Sequence, residues 1–212
     1  MKKHFALTLF LLFQLSFYNI FAQQLTVING NLEFLKNTTK ILVKYKYDRM
    51  EVGKMSEIAY LEKRSHELNQ KEPGRGDSWK VKWYEDRKKR FEPKFEELFN
   101  KVLQNKGVSV NANYPNADYV MTIHTQWTEP GYFASYFYSR YGGGIPSEPA
   151  LISGKITFTE AADSSKVLSE ILFYDSPGKP MGAPWDTGER IKESYAKLGK
   201  SLASFLIKNK VF

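Results

Sequence analysis

Cysteine is absent from the 212 residues. That gap removes disulfides, thiolate metal sites, cysteine nucleophiles and a lipid anchor on an N-terminal cysteine. Histidine is nearly as scarce. His4, His66 and His124 stand too far apart in sequence to suggest a ligand cluster, so neither a metal nor a cofactor is expected. The chain also lacks a Gly-x-Ser-x-Gly elbow, a Walker loop, a dinucleotide fingerprint and a zincin motif. Gly142-Gly-Gly144 has the composition of a phosphate cradle but no strand-to-helix junction to carry it. No catalytic residue is therefore assigned. Long apolar runs are missing beyond the first residues, and no transmembrane span is expected in the mature chain.

The N-terminus carries the one long apolar run. Lys2 and Lys3 precede a stretch from Phe5 to Phe21, interrupted by Thr8, Gln14, Ser16 and Asn19 and ending at Ala22-Gln23. A charged start, a short apolar segment and a small residue make a secretory signal peptide over residues 1–22. The competing reading, a membrane anchor, needs about 20 apolar residues without such breaks. Export without disulfides fits a bacterial envelope, in the periplasm or at the outer surface. Removing Lys2 and Lys3 takes 31 basic residues to 29 against 23 acidic ones, a formal charge of +6. The lysines are scattered among acids, and only Arg87-Lys-Lys-Arg90 is dense, so a nucleic-acid partner is not expected.

Residues 23–212 read as a single domain. Asn116–Trp127 (NADYVMTIHTQW) is the candidate central strand, with Tyr119, Met121, Ile123 and Trp127 on one face and Thr122, His124 and Gln126 on the other. Thr39–Tyr47 alternates in the same way, and Gln24–Ile28 and Val108–Val110 are short candidates. Ala150–Thr159 and Lys166–Tyr174 form a hairpin around Ala161–Ser165. Helices are expected over about 56–69, capped by Ser56 with Ile58, Leu61 and Leu68 on one stripe, and over Trp79–Arg90. Pro93 must kink or restart the latter, leading to a stripe of Phe95, Leu98, Phe99, Val102 and Leu103 that Gly107 stops. Between the two helices, Gly74-Arg-Gly-Asp-Ser78 contains an adhesion tripeptide. Its glycines also serve a turn, and Asp77 or Ser78 can cap the next helix.

A last helix begins near Asp186, with Glu189 placed for a capping box. Ile191, Tyr195, Leu198, Leu202, Phe205 and Leu206 share its apolar face. Arg190 lies off that face, and Ala196, Gly199 and Ala203 let the helix approach the sheet. Three strands in a row without a helix point to an α+β fold: a largely antiparallel four- to five-stranded sheet with helices packed mainly on one face.

Two functional readings follow. The leading one is an exported, non-enzymatic protein that binds or assists another envelope component. Its contact surface is placed on Tyr132, Phe133, Tyr136, Phe137, Tyr138 and Tyr141, because so many rings in one connection exceed what a solvated loop needs. The same rings could instead fold back over the sheet. The rival is a hydrolase of a cell-wall or glycan substrate, with Asp186 and Glu189 as its carboxylate pair. The order of elements, with Ala117-Asp-Tyr-Val-Met121, resembles a loose group of small Gram-negative envelope proteins. That group includes auxiliary lipoproteins of transporters and the periplasmic part of the curli-secretion lipoprotein. The resemblance spans roughly residues 39–207 and implies accessory or assembly work through protein contacts. The chain departs from it in lacking the lipoprotein cysteine and in carrying an extra helical stretch at 56–90.

Overall fold

The computed structural model describes residues 24–133, 147–179, 183 and 185–212. The leader at 1–22, the triple glycine, and Tyr136, Phe137, Tyr138 and Tyr141 lie outside the described residues. Alternation of apolar and polar side chains produces the long strands. These are β1 (Gln24–Gly30), β2 (Lys40–Lys46), β6 (Tyr119–Glu129), β9 (Ala150–Glu160) and β10 (Val167–Gly178). Shorter ones are β3 (Glu51–Val52), β4 (Met55–Ser56) and β5 (Ser109–Asn111), and β7 (Tyr132–Phe133) pairs with β8 (Ser147–Glu148) in a separate ribbon. The main sheet runs β1-β10-β9-β6-β2-β5, with β3 also on β6 and β4 on β3.

The fold is α+β, but the expected sheet of four or five largely antiparallel strands is not what forms. Eight strands make a mixed sheet, in which β2 lies parallel to both β5 and β6, and β3 parallel to β6. The reason is topological. The long helical stretch between β2 and β5 returns the chain to the end of the sheet where β2 began, and a helical crossover of that kind yields a parallel pair. Periodicity finds the strands but says nothing of their direction.

Helix α1 (Glu57–Asn69) starts on Ser56, whose Oγ accepts from the Ala59 N–H at 3.3 Å. Its buried stripe is Leu61, Ser65 and Leu68, whereas Ile58 points outward. Helix α2 (Arg75–Asp86) begins at Gly74, not at an Asp77 or Ser78 cap. The Arg75-Gly-Asp77 tripeptide is its first turn. A Cβ on Gly76 would meet the Ser65 carbonyl oxygen at 2.0 Å, so this glycine is what lets α2 lie against α1. A π-helical turn over Arg87–Phe91 joins α2 to α3 (Glu92–Leu103), whose first turn holds Pro93. Helix α4 (Thr187–Lys208) closes the chain. No helix among the described residues is long and apolar enough to cross a membrane.

The core lies between one face of the sheet and helices α3 and α4. Ile41, Val43, Met121, Ile123, Ile156, Phe158, Ile171 and Phe173 meet Phe95, Phe99, Leu103, Leu198 and Leu202 there, all buried. The other face carries partly exposed polar groups, including the Lys155–Glu170 pair at 2.6 Å. A register shift between Thr125 and Trp127 corrects the expected faces of β6. The extra residue turns Trp127 away from Met121 and Ile123 and brings Thr128 inward. Gly199 of α4 faces α3, not the sheet as expected, with the Phe95 carbonyl oxygen 2.4 Å from where its Cβ would be.

Candidate functional site

The bulge in β6 has a structural consequence. It aims the Trp127 indole N–H at the Gly53 carbonyl, 2.8 Å away, and the Gly53 N–H donates to the Thr128 carbonyl at 2.9 Å. The β3–β4 hairpin is thereby fixed to the end of β6, and α1 grows directly from it. Along α1, Tyr60, Lys63, Arg64 and Glu67 recur at helical spacing and form a wall next to the buried stripe. Arg64 Nη1 meets Glu67 Oε2 at 2.9 Å.

The opposite wall is held by Arg190, which the sequence placed off the buried face of α4. It is 6% exposed. Its Nε donates to the Pro130 carbonyl at 2.9 Å, and Nη2 donates to the Gly131 carbonyl and to Thr187 Oγ1, both at 3.2 Å. Burial pushes the guanidinium pKa down, while neighbouring acidic groups oppose the shift. The turn so clamped leads into Tyr132 and Phe133. Between the walls lies a cavity of about 530 Å³, within the range of ligand sites. Tyr132 and Phe133 line it.

Past Trp185 a second cavity of about 310 Å³ continues between α2 and the start of α4. Arg64, Trp185 and Thr187 line both, so the two form one trough. Trp185 stands where they meet and is 71% exposed. The wall on the α2 side is aromatic. Trp79 and Trp83 meet each other and Tyr60 of α1 in tilted or edge-on contacts, with ring centroids 5.5–6.0 Å apart. Trp83 donates to Glu57 at 2.6 Å, and Glu57 also pairs with Arg87.

The acids beside the trough are engaged. Asp186 caps α4, its Oδ1 accepting from the Gly188 N–H at 2.8 Å, and its Oδ2 meets Lys82 at 2.8 Å and Arg90 at 3.1 Å. Burial works to raise this carboxyl, but the two cations outweigh it and bring its pKa down to about 2. Glu189 turns from the expected reciprocal cap to Arg90 at 3.5 Å and Lys192 at 2.5 Å. Asp86 meets Arg90 Nε at 3.2 Å, and its pKa is raised, chiefly by burial. These contacts bind α2, the π-turn and α4 together. Among the described residues no group of three potential ligands could hold a metal. His124 instead lies 2.9 Å from the Asp48 carbonyl.

Of the expected contact surface, Tyr132 and Phe133 line the larger cavity together with Trp185, Arg190 and the α1 wall, which sequence reasoning did not single out as site residues. A tryptophan between Pro184 and Asp186, in a Pro- and Gly-rich connection, was the available signal. No family model matches the chain, and no curated protein matches it. Among solved structures, the PelC dodecamer from Paraburkholderia phytofirmans is similar in two crystal forms, one of them of a point variant. Each has 12% identity and a TM-score of 0.34, covering 84% and 86% of this chain and 98% of the other. At that score the likeness bears on neither fold nor function.

Proposed function

We propose that this chain is an exported, non-enzymatic envelope protein that binds another envelope component in the trough around Trp185. One observation carries the reading: a large indole stands 71% exposed at the junction of two cavities that a clamped turn and a helix wall hold open. An indole so placed suits a contact surface, because it offers a large rigid apolar face and a polar N–H at its edge. Tyr132 and Phe133 extend the same lining, in keeping with the contact surface read from the aromatic segment. The leader-like first 22 residues and the resemblance to small Gram-negative envelope proteins support export and accessory work. The hydrolase reading has less support. Both of its carboxylates sit in ion pairs, and Asp186, with a pKa of about 2, holds no proton to give near neutrality.

The test is photo-crosslinking in the host, with a benzophenone amino acid at position 63, on the trough wall. Protein purified from the envelope should begin near Gln23 by mass spectrometry and carry a discrete adduct. Trp185→Ser should remove that adduct without changing the melting temperature. An uncleaved Met1 terminus, or an adduct indifferent to Trp185→Ser, would refute the proposal.

A further inference from the structure

We propose that the trough takes an acidic polysaccharide, a chain of sugars bearing carboxylates of the uronic-acid type. This rests on the reading of the protein as a binder of an envelope component and adds the ligand's chemistry. Three observations converge on it. The first is shape. Two adjoining cavities of about 530 and 310 Å³, sharing Arg64, Trp185 and Thr187 and open to solvent, offer neighbouring sites for successive units of one chain more than a single compact pocket.

The second is the distribution of rings. Trp185 at the centre and Tyr132 toward one end are 71% and 48% exposed. Trp79 lines the other cavity. The electron-rich face of an aromatic ring attracts the weakly positive C–H groups on the face of a pyranose. Rings spaced along a channel can each receive a successive sugar.

The third is charge. The lining holds Lys54, Lys63, Arg64, Arg75, Lys82 and Arg190 against Glu67, Asp86 and Asp186. Lys82 is committed to Asp186, Arg75 meets Glu72 at 3.6 Å, and Arg190 is committed to the Pro130 turn. Lys54 and Lys63, both exposed, make no hydrogen bond or ion pair among the described residues. The described contact of Arg64 with Glu67 uses Nη1 alone, and a guanidinium has five N–H donors. Even with the Glu129 carboxylate near Gly53, Lys54, Lys63 and Arg64 leave a positive excess in the cavity that Trp185 also lines, where a sugar carboxylate would sit. An acidic peptide fits less well. Strand addition, one common mode for an extended peptide, has little to pair with: among the described residues the strands with a free edge at this channel, β4 and β7, are two residues long each.

The experiment is isothermal titration of the purified mature chain with polygalacturonate oligomers. Dextran and a single-stranded oligonucleotide of matched charge serve as comparators, each at two salt concentrations. Polygalacturonate should bind, dextran should not, and the oligonucleotide should bind at least tenfold more weakly. Trp185→Ser should weaken polygalacturonate roughly tenfold, the scale of one good aromatic contact. Lys54→Ser with Lys63→Ser should weaken it further and flatten its salt dependence. All these side chains are exposed, so unchanged melting temperatures will show that the variants are folded. Equal binding of dextran, equal or tighter binding of the oligonucleotide, or indifference to Trp185→Ser overturns the ligand assignment. If polygalacturonate fails to bind while the Trp185-dependent adduct persists in the host, this inference falls and the binding role stands. If the adduct is missing too, both fall.

Discussion

Arg190 shows how much of the site's geometry can depend on one side chain. A buried guanidinium is costly to desolvate, and here carbonyl oxygens of the Pro130–Gly131 turn and the Thr187 hydroxyl offset that cost. Arg190→Met keeps most of the apolar stem but leaves the carbonyls without these donors. Hydrogen bonds to charged groups contribute about 1.5–3 kcal/mol. Destabilisation of that order is expected, a fall of roughly 3–12 °C in melting temperature for a domain of this size. Thermal unfolding by circular dichroism measures it. An unchanged midpoint would mean that water serves the carbonyls as well as the arginine does. The sequence could not reveal this role. A charge on an amphipathic helix is ordinarily read as solvent-facing, and the bonded carbonyls lie about 60 residues away in the chain. Trp185 stands out in its loop, but its place at the junction of two cavities depends on tertiary packing that local pattern does not encode. Ser56 as a cap was legible, because capping is local.

At the scale of elements, the close approach of α3 and α4 depends on Gly199. Substitution by alanine brings two opposing effects. Helix propensity favours alanine over glycine by about 1 kcal/mol in a helix interior. Against that, the new methyl would lie 2.4 Å from the Phe95 carbonyl oxygen and 3.2 Å from the Phe99 nitrogen. Those atoms are backbone and cannot rotate aside, and overpacking of this kind costs roughly 1–3 kcal/mol. Gly199→Ala should therefore destabilise by about 1 kcal/mol, while Ser204→Ala, on an exposed turn of the same helix, should be neutral or slightly stabilising. Denaturant midpoints for the pair decide the matter, and a stabilised Gly199→Ala would show that the helices part freely. The element pattern itself was largely readable. Strands, the kinked helical stretch and the last helix stand where period and punctuation put them. Strand direction was not, because β2 joins β5 and β6 across a crossover that local pattern does not encode.

For the whole molecule, the distribution of perturbed carboxyls predicts an acid response in two stages of opposite sign. Asp86, Glu92 and Glu96 have raised pKa values, each mainly through burial. Above its folded pKa such a group is charged in both states and costs the folded state more. As pH falls through that value toward the ordinary carboxylate range, the folded protein takes up the proton first and stability rises. Asp186 behaves oppositely. Burial raises it, but Lys82 and Arg90 prevail, and its pKa falls from 3.8 to about 2. Its contribution is complete above pH 4 and is lost as pH drops from 4 toward 2. Glu170, lowered chiefly by its hydrogen bond from Lys155, acts in the same direction. The fall from 3.8 to about 2 corresponds to about 2.4 kcal/mol in full, and to about 1 kcal/mol after discounting for the solvent that reaches the pair. The melting temperature should hold or rise from pH 7 to 5 and fall steeply below 4. Asp186→Asn should lower the neutral plateau by roughly 2–4 °C and soften the fall below pH 4, since Glu170 and other paired acids still contribute to it. Glu96→Gln should remove part of the gain between pH 7 and 5. A midpoint that declines steadily from pH 7 would show that the buried acids ionise without cost.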